Sequence, residues 1–269
     1  ANKDCLIRRS ENWQDKVNFP SRVVRLLENN EALKSFDALF CFDDKPLIIF
    51  YENPKDLKEL HKAIWNFNEC AIVIVIDKAQ VSVYNGFKLL KKEKVLERLG
   101  GETSLDDFTY FKLVSGHTWQ AYETKLRKED RVDRLLLSNI ELVLKELCDK
   151  YSLKQEVANA IVGKIIFIRY LIDRKVRLLF RGTHKCLTND DLCDILNDKV
   201  EFCNFISYLQ DKDIGFDGEV FPLDKERIQS FSDEMFQLLI GMLKSDIKAK
   251  QPFLFDMFDF SVLSLFAQM

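Results

Sequence analysis

The chain has 269 residues, of which 47% are hydrophobic and 31% charged, with a formal net charge of −3. That profile excludes a disordered or collagen-like chain. The near-neutral balance gives no compositional argument for a dedicated nucleic-acid binder, so any nucleic-acid contact must rest on a local patch. Only 9 glycines and 5 prolines are present, well below the roughly 12% that the pair usually reaches. No G-x-G-x-x-G or G-x-x-x-x-G-K-[ST] pattern can be drawn through those glycines, which excludes the usual Rossmann and P-loop nucleotide sites.

In chain order, Ser21 is predicted to cap a short helix over residues 22–29, with Val23, Val24, Leu26 and Leu27 inward. Residues 36–42 are apolar around Asp37, and residues 46–51 read Pro-Leu-Ile-Ile-Phe-Tyr. The short polar link between them predicts a hairpin. Pro54 is expected to open a helix reaching Phe67, because proline suits the first helical position. Residues 71–76 form a continuous β-branched run, the pattern of a strand buried on both faces and therefore central. A further strand is expected over 80–84, ended by an Asn85-Gly86 turn.

After Gly100-Gly101 the periodicity becomes helical. Helices are predicted near 118–128, 132–150, 153–175, 190–196, 200–210 and 224–243. In the third of these, Val157, Ile161, Ile165, Ile168 and Ile172 follow the spacing of a core stripe. The predicted fold class is thus a small mixed-sheet α/β domain over residues 1–110, followed by a helical bundle domain over 111–269.

Seven cysteines stand at 5, 41, 70, 148, 186, 193 and 203, and no two form C-x-x-C. Cys41 and Cys148 lie in apolar runs, so buried reduced thiols and a cytoplasmic setting are expected. His61, His117 and His184 are the only histidines, which gives a zinc site little support. No signal-peptide pattern opens the chain, and no apolar run approaches membrane-spanning length, so no membrane partner is expected.

Three features carry chemistry. The α/β half has the strand and helix order of a restriction-endonuclease-like core, in which an Asp at a strand start is followed by Glu-x-Lys on the next strand. Asp37 takes the first position. On the next strand, however, Phe50 stands where the Glu would be and Glu52 where the Lys would be. A magnesium-dependent nuclease resting on Asp37 and Glu52 is therefore disfavoured. The plainer reading makes Asp37 a turn or edge residue and Glu52 a helix-start carboxylate. Second, His61 and Trp65 stand four apart on the helix that follows, the spacing of an aromatic packing pair. Third, Lys164, Arg169, Arg174, Lys175, Arg177 and Arg181 crowd a short stretch that holds one acid, Asp173. Such a stretch can follow a phosphate backbone, or it can pair with the acid-rich segment after it.

Five stretches taken in order resemble a known family. They are His61-Lys62-Ala63-Ile64-Trp65-Asn66, Val83-Tyr84-Asn85-Gly86, residues 165–174, residues 216–223 and Phe258-Asp259-Phe260-Ser261-Val262. They look like the amino-terminal region of large bacterial N6-adenine DNA methyltransferases of restriction–modification systems, of the type IIG-like single-chain kind. The resemblance runs over about residues 20–263. It implies a nuclease-like α/β domain, a helical domain that contacts double-stranded DNA or connects domains, and a methyltransferase domain acting in cis or in trans. The family's S-adenosylmethionine loop and its Asn-Pro-Pro-Tyr motif are absent from these residues. No S-adenosylmethionine binding or methyl transfer is therefore expected, and the chain would be a fragment or a truncated relative. A working metal-dependent endonuclease domain and a protein-interaction module without a nucleic-acid role stay open beside that reading.

Overall fold

A computed structural model describes residues 5–42, 44–90, 92–180, 186–211, 221–246, 251–252 and 259. The chain divides into two compact units. The first holds the described residues up to 135, and the second those from 136 to 259.

The first unit is built on a six-stranded mixed sheet in the order β1 to β6. Its strands are β1 (Leu6–Arg8), β2 (Ala38–Phe42), β3 (Lys45–Glu52), β4 (Ile72–Asp77), β5 (Gln80–Leu90) and β6 (Val95–Gly101). Every neighbouring pair is antiparallel except β3 and β4. That one parallel pair is joined by helix α2 (Leu57–Phe67), since parallel neighbours need a crossover. The predicted hairpin is present, with Leu39 opposite Ile49. The β-branched run forms β4, between β3 and β5, with Ile72, Val73, Ile74 and Val75 all buried.

Both faces of the sheet are covered. On one, Ile48, Ile72, Ile74, Val83 and Leu99 cluster with Phe108 and Leu113, and Phe50, Trp119, Tyr122 and Leu126 pack around them. On the alternate positions Ile49, Tyr51, Val73 and Val75 are equally buried, as the two-residue period of a strand requires. Leu60, Ile64 and Trp65 of α2 are buried as well.

Several details differ from the sequence reading. Helix α1 (Ser21–Asn29) begins at Ser21, with Pro20 in the cap position and no side-chain cap bond. Helix α2 starts at Leu57 rather than Pro54, because the Asp56 carboxylate accepts from the backbone N–H of Lys58 and Glu59 and so satisfies two orphan donors. Strands β1 and β6 were not foreseen. The expected helix at 118–128 is confined to α4 (His117–Ala121), which follows the short α3 (Tyr110–Val114). These short helices lie against the sheet core through Leu113 and Trp119.

Asn85-Gly86 does not end β5; it lies inside the strand, in a stretch where the register with β6 shifts. The Asn85 amide donates to Lys125 O (2.7 Å) and its Oδ1 accepts from Phe87 N (3.0 Å), so the fully buried side chain is paired at both ends. A Cβ on Gly86 would stand 2.0 Å from the carbonyl oxygen of Cys70. Glycine marks a close backbone approach here, not a turn.

The actual tight turn between β4 and β5 holds Lys78 (φ 47°) and Ala79 (φ 63°), both left-handed, between the paired residues Asp77 and Gln80. Two left-handed residues in a two-residue hairpin suit Asn-Gly, and a side chain with a Cβ is strained there. Ala79→Gly is therefore expected to stabilise the protein by about 0.5–1 kcal/mol, the relief of strain exceeding the extra freedom of the unfolded chain. A urea midpoint unchanged or lowered would show that the turn carries no such strain.

Among the described residues, the second unit is helical apart from a two-residue ladder, β7 (Ser245–Asp246) with β8 (Gln251–Pro252). Helix α5 (Val132–Asp149) leads into it, followed by α6 (Gln155–Asp173), α7 (Asn189–Asn197), α8 (Lys199–Gln210), α9 (Lys225–Gln229) and α10 (Asp233–Lys244). The predicted stripe is buried on α6 at Ile161, Ile165, Ile168 and Ile172. Thr188 and Asp191 close a capping box on α7, and Asp198 caps α8. The single helix expected over 224–243 is broken into α9 and α10, where Ser232 Oγ accepts from Met235 N, a helix start inside the run. Phe202 and Phe236 meet edge to face at 5.7 Å. Cys148, expected to be buried, is half-exposed, whereas Cys41, Cys70, Cys193 and Cys203 are buried. Among the described residues, no helix is long and apolar enough to cross a membrane.

Candidate functional site

The β2–β3 register brings the start of one strand to the end of the other, since Ala38 pairs with Phe50. Asp37, just before β2, is held there at three points. Its N–H donates to Phe50 O (2.9 Å), its carbonyl accepts from Arg9 N (3.1 Å), and its carboxylate Oδ2 accepts from Glu52 N (2.6 Å). The last bond fastens the end of β3, a charge-assisted link of the stronger kind.

The neighbouring loop is pinned in the same manner. Asn53 (φ 48°) donates its N–H to Ile76 O (2.8 Å), and its Oδ1 accepts from Lys78 N (3.1 Å). Glu52 pairs in register with Ile76 of the parallel strand β4, and Asp77 follows. Asp37, Glu52 and Asp77 are thus exposed near the carboxyl ends of the one parallel pair among the described strands, the end of an α/β sheet where ligands bind most often.

The donor set does not fit a magnesium ion. One oxygen of Asp37 is already committed to a backbone N–H. Phe50, in the position of the second acid, packs against the cluster around Ile48 and Ile72. Among the described residues no three His, Cys, Asp or Glu side chains are grouped to hold a metal. In-line phosphodiester hydrolysis needs converging carboxylates with free oxygens, and here Phe50 stands where the second acid would be.

His61 and Trp65 sit in the seam between α2 and the sheet. His61 is fully buried, its Nδ1 accepts from Leu96 N (3.1 Å), and its ring meets Tyr84 edge-on at 4.5 Å. Burial pushes its pKa down to about 4, so the imidazole is neutral near pH 7. This is a packing histidine whose ring accepts from the backbone near the start of β6.

The six cations expected to touch DNA divide. Lys164 and Arg169 are buried on α6, and Arg169 Nε is bound by both oxygens of Asp173 at 3.0 and 3.2 Å. Neither side chain faces a solvent-borne phosphate. The periodicity carried this signal: Lys164 stands three after Ile161 and four before Ile168, and Arg169 four after Ile165 and three before Ile172, so both fall on the stripe. Arg174, Lys175 and Arg177 are exposed at and beyond the carboxyl end of α6. Arg174 donates to the Tyr170 hydroxyl (3.0 Å). Cations at that end also offset the negative pole of the helix. Arg181 lies outside the described residues, as do residues 216–220 and residues 258 and 260–262 of the stretches that carry the family resemblance.

Sequence reasoning missed Arg9 at the corner, because a three-residue strand leaves no periodicity to read. Compared with protein-family models, with curated proteins and with solved structures, the chain matches none.

Proposed function

We propose that the chain is a non-catalytic amino-terminal module of a bacterial restriction–modification N6-adenine DNA methyltransferase, in which a nuclease-like α/β unit has lost its catalytic acid and the helical unit contacts duplex DNA. The observation that carries this reading is the corner itself. A β2–β3 hairpin, a helix and a parallel β4 bring Asp37 against the end of β3, where a nuclease would pair an Asp with Glu-x-Lys. In that place stands an aromatic ring that serves the core. The exposed cations Arg174, Lys175 and Arg177 supply the positive end of a DNA contact, and the methyltransferase domain is a partner in cis or in trans.

Anisotropy of a labelled duplex, titrated between 50 and 200 mM salt, tests the reading. Affinity is expected to fall steeply as salt rises. Changing Arg174, Lys175 and Arg177 together to alanine should shrink the log–log slope by about 2–3, as the loss of three phosphate contacts requires. No binding even at low salt would leave a protein-interaction module without a nucleic-acid role. Plasmid DNA should survive incubation with magnesium or manganese. Nicking that Asp37→Ala abolishes would overturn the non-catalytic reading in favour of a metal-dependent endonuclease.

A further inference from the structure

A cleft of about 290 Å³ opens beside the amino-terminal strand of the sheet. Its floor is apolar, since Trp13, Leu27 and Phe36 are all buried. Trp13 opens a short 3-10 helix (Trp13–Lys16), Leu27 belongs to α1, and Phe36 stands two residues before β2. The Trp13 ring is packed by Phe36, edge to face at 5.8 Å, and by Phe19 at 6.3 Å. Trp13 is only 5% exposed, yet its indole N–H has no acceptor among the described residues. The indole nitrogen is not sealed in the core, so this donor opens into the cleft that the ring lines.

The rim of the cleft is charged, and part of that charge is already paired. Glu11 binds Lys16, and Lys34 Nζ binds Glu31 (2.6 Å). Gln14 Nε2 donates to Glu28 Oε1 (2.8 Å) and holds that carboxylate at the rim. Two charged groups are left over. Arg9, exposed just past β1, makes no ion pair or side-chain hydrogen bond among the described residues. The second oxygen of Glu28 likewise accepts from none of them. Arg9 and Glu28 thus line one cleft without pairing with each other, and a molecule that pairs with both fits between them.

We propose that this cleft binds a small zwitterion of the free α-amino acid class. The ligand carboxylate accepts from the Arg9 guanidinium, whose planar fork suits it, and from the Trp13 N–H. The ligand ammonium donates to the open oxygen of Glu28. A simple anion would meet Glu11 and Glu28 on the same rim, and a simple cation would meet Arg9 and Lys34. A ligand carrying both signs gains from each side. Small-molecule sites span roughly 300–1,000 Å³, so a cleft at the lower end of that range suits a molecule of amino-acid size. Binding reaches the corner described above, because the backbone N–H of Arg9 holds the carbonyl of Asp37.

The test follows the indole N–H signals of the nitrogen-15-labelled full chain at neutral pH, with the Trp13 signal identified by its loss in Trp13→Phe. L-glutamine, a zwitterion with an uncharged side chain, is expected to shift that signal saturably in the millimolar range. The Trp65 and Trp119 signals should stay in place. Potassium acetate and ethylammonium chloride, each carrying one half of the head group, should give no saturable shift. Arg9→Gln and Glu28→Gln should each weaken glutamine binding by about tenfold, whereas Lys34→Gln should change it by less than about twofold. All three positions are on the rim, so the variants keep the fold, and unmoved Trp65 and Trp119 signals check this. Absence of a saturable Trp13 shift would overturn the proposal. So would an equal response to acetate, or glutamine binding that survives Arg9→Gln undiminished.

Discussion

Gly86→Ala is expected to cost about 4 kcal/mol or more, enough to leave much of the chain unfolded at 37 °C. The new methyl would lie 2.0 Å from Cys70 O and 3.2 Å from Cys70 C, and neither is the end of a flexible side chain. Relief requires β5 to move off β4, which breaks the Gly86 N–H bond to Ala71 O (2.9 Å) and opens the seam around Val83. A glycine in a strand is normally replaced by alanine with little loss or a small gain, so the sign of the effect is itself informative. Urea denaturation followed by circular dichroism provides the measurement. A variant within about 0.5 kcal/mol of the parent would show that β5 can slide past Cys70 without cost.

Acid is expected to weaken the protein through His61 before the carboxylates titrate. Burial lowers its pKa from 6.5 to about 4, so between those values the unfolded chain takes up a proton that the folded one refuses. Stability is therefore undiminished by this group above about pH 6.5. It falls as pH drops through that window and levels off near pH 4, for a total loss of about 3 kcal/mol. Protonation would also turn Nδ1 from acceptor to donor against the N–H of Leu96, which is the local reason for the resistance. His61→Asn retains an oxygen acceptor near the place of Nδ1. It should be less stable at pH 7.5 through lost packing, by about 1–2 kcal/mol, but flatter across the window. If both proteins lose stability equally between pH 6.5 and 4.5, His61 is not the titrating group.

The same two residues show what could be read before the fold was known. His61 and Trp65, four apart on an amphipathic helix, declared a packing pair, and both are buried in the seam. Asn85-Gly86 carried the local chemistry of a turn, and only the neighbouring strand revealed that the glycine makes room for a carbonyl. At the corner, the hairpin that sets Asp37 beside Phe50 was legible. The bond from Glu52 N to Asp37 Oδ2 was not, since it depends on the hairpin register. The buried Lys164 and Arg169 were legible in position but outweighed by their charge, because a count of cations takes no account of which face they occupy.

By itself the sequence determined the elements whose signal is local and strong. The β-branched run had to be an inner strand, because burial on both faces suits a continuous run of such residues. The repeated isoleucines had to face a helical core, because their spacing matches the turn of a helix. The mixed sheet followed by helices came from those periods alone. The tertiary structure decided everything that depends on a partner. Strand β1 has three residues, and β6 mixes Glu97 and Arg98 into an irregular pattern; each exists because a neighbouring strand offers it hydrogen bonds. Tertiary packing likewise set the short helices after Gly101 against the sheet and gave Asp37 to a backbone N–H. Local preference amounts to tenths of a kcal/mol per residue, whereas a register or a buried contact is worth several times that. Where the two disagree, the contact prevails.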